Sequence, residues 1–156
     1  MKTDFLNKRV LPLGEMMPII VEHLQGGNSV RFSPKGISML PMLREGTDSV
    51  VISPVPKKIK KFDIALYQRE NGQYILHRIV KKGNTFVCIG DNQFKFEKGV
   101  KREQLIAVVT SFNRGDKCYS INAFSYKLYC VFWHYSRVYR HIYRALKWRV
   151  KRVFKG

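Results

Sequence analysis

The chain has 156 residues, 45% of them apolar and 13% aromatic, which excludes a disordered segment and fits one domain with a sizeable core plus an appendage. With 29 Lys+Arg against 11 Asp+Glu the formal charge is +18, a balance that favours an anionic surface, either lipid headgroups or nucleic acid. Cys88, Cys118 and Cys130 are odd in number and form no C-x-x-C pair, so neither a zinc site nor a complete disulfide framework is expected; they read as reduced, with no metal or cofactor implied.

In chain order, Met1 to Leu13 mixes charges with a proline where a signal peptide needs an unbroken apolar run, so no targeting segment is expected. Gly14 to Gln25 is apolar but interrupted by Glu15, Glu22 and His23. At about 1.5 Å per residue it falls well short of a hydrocarbon core of roughly 30 Å. It predicts an amphipathic helix, with Pro18 in the first turn and Gly26-Gly27 ending it, so that 1–27 forms an N-terminal helical segment. From position 28 the pattern changes to short β-branched or alternating runs. Strands are expected at Ser29–Pro34, Asp48–Val55, Ile64–Arg69, Gln73–Val80, Thr85–Ile89 and Gln104–Phe112. Asn71-Gly72 marks a tight hairpin, and Lys57–Lys61 a basic loop. Residues 28–121 therefore predict a mainly β domain, built as a partly closed, barrel-like sheet.

Residues 122–156 differ in composition, with nine Lys+Arg and no acidic residue. Leu128, Val131, Phe132, Tyr135, Val138, Tyr139, Ile142 and Leu146 recur at helical spacing, while Arg137, Arg140, Arg144 and Lys147 fall on the other side. One long basic amphipathic helix is predicted. Its longest charge-free stretch, Leu128–Ser136, is too short to span a bilayer, so the expectation is a helix lying on an anionic membrane surface, with Trp133 and Trp148 near the headgroups. The alternative is a helix packed on the core or on a partner. Nucleic acid is not the favoured partner, because no recognised binding module accompanies the charge.

Chemistry concentrates in Gly36-Ile37-Ser38-Met39-Leu40-Pro41, which presents one serine at a corner between two strands. Gly36 permits a close turn and Pro41 stiffens the exit. A serine hydroxyl becomes an effective nucleophile only when a base takes its proton. His77, inside the second arm of the Asn-Gly hairpin, is the candidate base, with an unperturbed pKa near 6.5. An ionised Asp91, in Gly90-Asp91-Asn92, would orient the ring. Arg78 follows His77 on the strand and so faces the opposite side, as a structural ion-pair partner.

Gly-x-Ser-Met-x-Pro (36–41), His77-Arg78-Ile79 and Gly90-Asp91-Asn92, in that order, resemble the three core boxes of the signal peptidase I superfamily and its LexA-type relatives, over roughly Val30 to Val109. The common bacterial branch has a lysine where this chain has His77. The resemblance therefore points to the archaeal and endoplasmic-reticulum type and implies a Ser-His mechanism. Members of that branch also carry an aspartate shortly after Gly-Asp-Asn, where this chain has Glu97, so the third catalytic member stays open between Asp91 and Glu97. Backbone N–H groups of Ser38 and Met39 would stabilise an oxyanion. The implied activity is a serine endopeptidase cleaving a leader or signal segment from a peptide or preprotein. Alternatives are a non-catalytic peptide-binding domain of the same fold and a LexA-like self-cleaving regulator. The family's usual spanning helix before the serine box is missing from the corresponding stretch. Together with the unpaired cysteines this predicts a cytoplasmic protein, or one peripheral on the cytoplasmic membrane face.

Overall fold

Met17, Ile20 and Leu24 recur at helical spacing and bury one side of α1 (Leu13–Gln25) in the core. This helix opens the computed structural model, which describes residues 13–153; the side chains at 13, 148, 149 and 151–153 lie outside that description. The reading of Met1–Leu13 as lacking a targeting segment falls on 1–12, outside the described residues, as does the environment of Trp148. Pro18 sits within α1 and not in its first turn. A proline there leaves the Gly14 carbonyl without its helical donor, and Gly14 is exposed, so water can satisfy it. The C-terminus closes with Asn28 N–H on the His23 carbonyl (3.1 Å) and Gly27 N–H on Leu24 (3.0 Å). Gly27 takes φ 79°, the left-handed conformation this closure requires.

Eight strands follow: β1 (Val30–Phe32), β2 (Asp48–Pro54), β3 (Ile64–Gln68), β4 (Tyr74–Lys81), β5 (Phe86–Ile89), β6 (Glu97–Val100), β7 (Leu105–Arg114) and β8 (Lys117–Ser120). They pair antiparallel in one sheet ordered β1-β2-β7-β3-β4-β5-β6, with β8 hairpinned onto β7. The fold is mainly β, as expected from the sequence. The described strands follow an open path whose ends, β1 and β6, do not meet, so the sheet is not closed. All six expected strands form. β6 and β8 escape sequence pattern because Glu-Lys-Gly-Val and Lys-Cys-Tyr-Ser are short and mostly polar, and every residue of β8 is exposed.

Alternation along β3 and β4 divides the core in two. Leu66 and Leu76 join α1, Met39, Met42 and Leu43 in one cluster, whereas Ala65, Tyr67, Ile75 and Ile79 belong with Phe86, Cys88 and Leu105 in the other. His77 shares the parity of Ile75 and Ile79, and Arg78 that of Leu76, so the two neighbours are sent to opposite faces.

The tail forms two helices, α2 (Phe124–Tyr135) and α3 (Arg137–Val153), where one was expected. At the junction Ser136 Oγ donates to the Trp133 carbonyl (3.4 Å), the local competition with backbone bonding that serine offers in a helix. α2 packs its inner side on the sheet through Tyr126, Tyr129 and the buried Cys130. Trp133, expected at headgroup level, is instead half-buried, with Nε1 donating to the Asp91 carbonyl at 2.9 Å. Among the described residues no helix is long and apolar enough to cross a membrane.

Candidate active site

The serine corner is held by Asn92, in the Gly90-Asp91-Asn92 turn. Asn92 donates its N–H to the Ser38 carbonyl (2.8 Å) and its side-chain amide to the Ile37 carbonyl (3.1 Å). Gly36 adopts φ 91°, which glycine alone takes without strain, and its N–H donates to Glu45 Oε2 at 3.0 Å. Met39 is buried in the first cluster and anchors the corner, leaving Ser38 half-buried at the surface of the turn. Among the described residues neither Ser38 N–H nor Met39 N–H donates a hydrogen bond, so both stay available to a developing oxyanion.

His77 lies opposite Ala65 in the β3/β4 ladder and is 3% exposed. Gly90 stands between it and the serine corner: a Cβ built there would lie 2.6 Å from the Ser38 carbonyl oxygen and 3.1 Å from His77 Nε2. A side chain at position 90 would therefore push against both the Ser38 backbone and the His77 ring. Both residues line one cavity of about 200 Å³, together with Met39, Leu43, Tyr74 and Leu76. No hydrogen bond joins Ser38 Oγ to the His77 ring. Burial lowers the His77 pKa to about 4, with the Arg69 charge acting in the same sense and Glu97 and Asp91 opposing. The ring is therefore neutral at pH 7 and able to accept a proton.

The two candidate acids have different partners. Asp91, fully buried, is held bidentately by Arg78, with Nε to Oδ1 at 2.8 Å and Nη2 to Oδ2 at 2.7 Å. Arg78 is 1% exposed and completes its donors with the Phe62 carbonyl (3.1 Å), Tyr126 Oη (2.8 Å), Cys130 Sγ (2.9 Å) and Met42 Sδ (3.0 Å). Burial opposes the charge on Arg78, but the Asp91 carboxylate outweighs it and holds the guanidinium pKa well above its ordinary value. Asp91 was the first expectation for the group behind His77. It is drawn instead to the opposite face of β4, because the arginine beside His77 points there.

Glu97, on β6, occupies the other position. Arg69 grips it with Nε to Oε1 at 2.7 Å and Nη2 to Oε2 at 2.6 Å, which holds its carboxyl below the usual range. Glu97 Oε2 is 3.9 Å from His77 Nδ1, too long for a hydrogen bond. Tyr67 Oη fills the gap, 2.9 Å from Glu97 Oε2 and 3.3 Å from His77 Nδ1. Sequence reasoning missed Tyr67 and Arg69. The parity of Tyr67 on β3 matches that of His77 on β4, but only the hairpin register reveals it.

The tail helices complete the back of the site. Arg140 lies 3.6 Å from the centre of the Trp133 ring and donates to the Asp91 carbonyl (3.3 Å), and Arg144 donates to Asn92 Oδ1 (2.6 Å). The buried thiol of Cys88 is pushed up to about 12 by burial and is no nucleophile at neutral pH. Among the described residues no group of His, Cys, Asp or Glu is placed to hold a metal ion. Comparison with protein-family profiles and with curated proteins gives no match.

Proposed function

We propose that this chain is a serine endopeptidase of the signal peptidase I type, with an open β core related to that of those peptidases, and that it removes a leader segment from a peptide or preprotein. The observation that carries this reading is the approach of Ser38 and His77 across Gly90 at one cavity. In the mechanism, Ser38 Oγ attacks the scissile carbonyl as His77 Nε2 takes its proton, and the N–H groups of Ser38 and Met39 hold the oxyanion. His77 returns the proton to the leaving amine, and water activated by the same ring releases the acyl group. Met39, Leu43 and Leu76 line the cavity together with Lys35, Arg69 and Gln93, a mixed lining that offers apolar contact and disfavours a basic side chain beside the scissile bond. Incubation with a peptide library, with products read by mass spectrometry, tests this. Wild type yields discrete cleavages that Ser38→Ala abolishes. Equal cleavage by a folded Ser38→Ala variant overturns it, and retained peptide binding without cleavage by wild type favours the binding-domain alternative.

The tail supports a second part of the reading, a position on an anionic lipid surface. Its amphipathicity is inverted relative to the core: Arg140 and Arg144 turn inward onto Asp91 and Asn92, and Arg137 is buried 5.7 Å from the Phe96 ring centre. Phe132, Val138, Tyr139, Ile142 and Leu146 are left outward and more than half exposed. An outward apolar face on a segment without a single acidic residue, in a chain of charge +18, matches an anionic bilayer in both hydrophobicity and sign. The peptidase then works at the membrane surface, with the lipid-facing helix one hydrogen bond from the turn that holds Ser38.

A further inference from the structure

Donor and acceptor roles around His77 are forced by one ionised carboxylate. Glu97, clamped by both arms of Arg69, can only accept hydrogen bonds. Tyr67 Oη, 2.9 Å from Glu97 Oε2, must therefore spend its single proton there. The same oxygen lies 3.3 Å from His77 Nδ1, and with its proton committed it can only accept. Nδ1 then carries the imidazole proton, and Nε2, the nitrogen beside Gly90 and the Ser38 backbone, is left bare.

We propose that Tyr67 is the positioning residue of the His77 base, transmitting the fixed charge of Glu97 to Nδ1 through one phenol and so setting the tautomer whose free Nε2 points to the serine corner. Its consequence for rate rests on the peptidase reading above; the tautomer itself does not. Tyr67 is fully buried on β3, and its ring stands edge-on to His77 with centroids 6.3 Å apart, so the phenol oxygen is held between Glu97 and Nδ1. Burial, and then the hydrogen bond to Glu97, raise the Tyr67 pKa, so the phenol stays protonated throughout the working range. The charged groups acting on the ring are Glu97 from β6, Arg69 from the turn after β3, and Asp91 from the loop after β5. When His77 accepts the serine proton, its cation is stabilised through an oriented hydroxyl dipole and not by direct carboxylate contact, in keeping with a ring of low basicity.

Long-range ¹H–¹⁵N correlation of the full-length protein at pH 7 tests the assignment without any substrate. The result expected is a protonated Nδ1 and an unprotonated Nε2 for His77, in wild type and in Ser38→Ala alike. Tyr67→Phe should retain the fold, move the ring to a mixture of tautomers, and lower kcat on a cleaved peptide at least about tenfold with little change in KM. Glu97→Gln replaces a group that can only accept by an amide that can also donate, and should disturb the tautomer in the same direction. A wild-type ring protonated at Nε2 overturns the proposal, and so does a folded Tyr67→Phe with unchanged tautomer and kcat. If wild type cleaves nothing while the tautomer behaves as stated, the peptidase reading fails and the Tyr67 assignment stands.

Discussion

Asp91→Asn separates a structural from a catalytic aspartate. The substitution keeps the shape of the side chain but removes the charge that faces Arg78 at 2.7 and 2.8 Å, leaving a guanidinium 1% exposed among Met42, Tyr126 and Cys130. Removing one partner of a buried pair costs about 3–5 kcal/mol, a large share of the roughly 5–15 kcal/mol that holds a typical domain together. At about 2–4 °C per kcal/mol for a chain of this size, the thermal midpoint should drop by about 6–20 °C. Arg78→Met should destabilise by a similar amount, and the double variant Arg78→Met/Asp91→Leu should recover much of the loss, because no uncompensated charge remains. Thermal and urea unfolding followed by circular dichroism measure all three. An Asp91→Asn protein with an unchanged midpoint and abolished cleavage would refute the reasoning and return Asp91 to the catalytic group.

His77 has a folded-state pKa near 4 against about 6.5 when unfolded, so the unfolded chain binds more protons between those values. Stability is then fully present above pH 6.5 and falls as pH drops to 4, by up to about 3 kcal/mol, a loss that His77→Gln should largely remove from the stability profile. In the same range the acid limb of kcat/KM should lie near pH 4–5, well below that of an unperturbed histidine. Gly90→Ala would drive a methyl against the Ser38 carbonyl and Nε2, costing about 1–3 kcal/mol in overpacking and about a hundredfold in rate through displaced geometry, read by unfolding and peptide cleavage. The triple variant Tyr139→Gln/Ile142→Gln/Leu146→Gln should leave the thermal midpoint unchanged and weaken co-sedimentation with anionic vesicles at least about a hundredfold; equal binding would remove the lipid reading.

The strand pattern was legible because β2, β3, β4 and β7 carry the alternating or β-branched runs that a sheet demands, and the Asn-Gly turn fixed one hairpin outright. The convergence of the serine and histidine segments was legible only as order along the chain, since nothing local says that Gly90 will sit between them. The third member could not be settled from sequence. Gly-Asp-Asn offers an aspartate at the expected distance; the parity of Arg78 was legible, but only the folded ion pair shows that Asp91 is the charge it consumes. The tail was read as a single interfacial helix because helical periodicity reports a polar and an apolar side without saying which faces the protein. Here the arginines find carbonyl and amide acceptors on the Asp91–Asn92 turn, so the polar side faces inward.

The central claim is that Ser38 and His77 form one proton-transfer unit, and the most direct measurement is a double-mutant cycle on cleavage of a confirmed peptide by Ser38→Ala, His77→Ala and the combination. Groups that act together fail together. Each single variant should lose nearly all activity while unfolding at a midpoint close to that of wild type, and the double variant should be scarcely slower than either. Rate losses that multiply in the double variant, or a folded single variant that cleaves at the wild-type rate, would contradict the account.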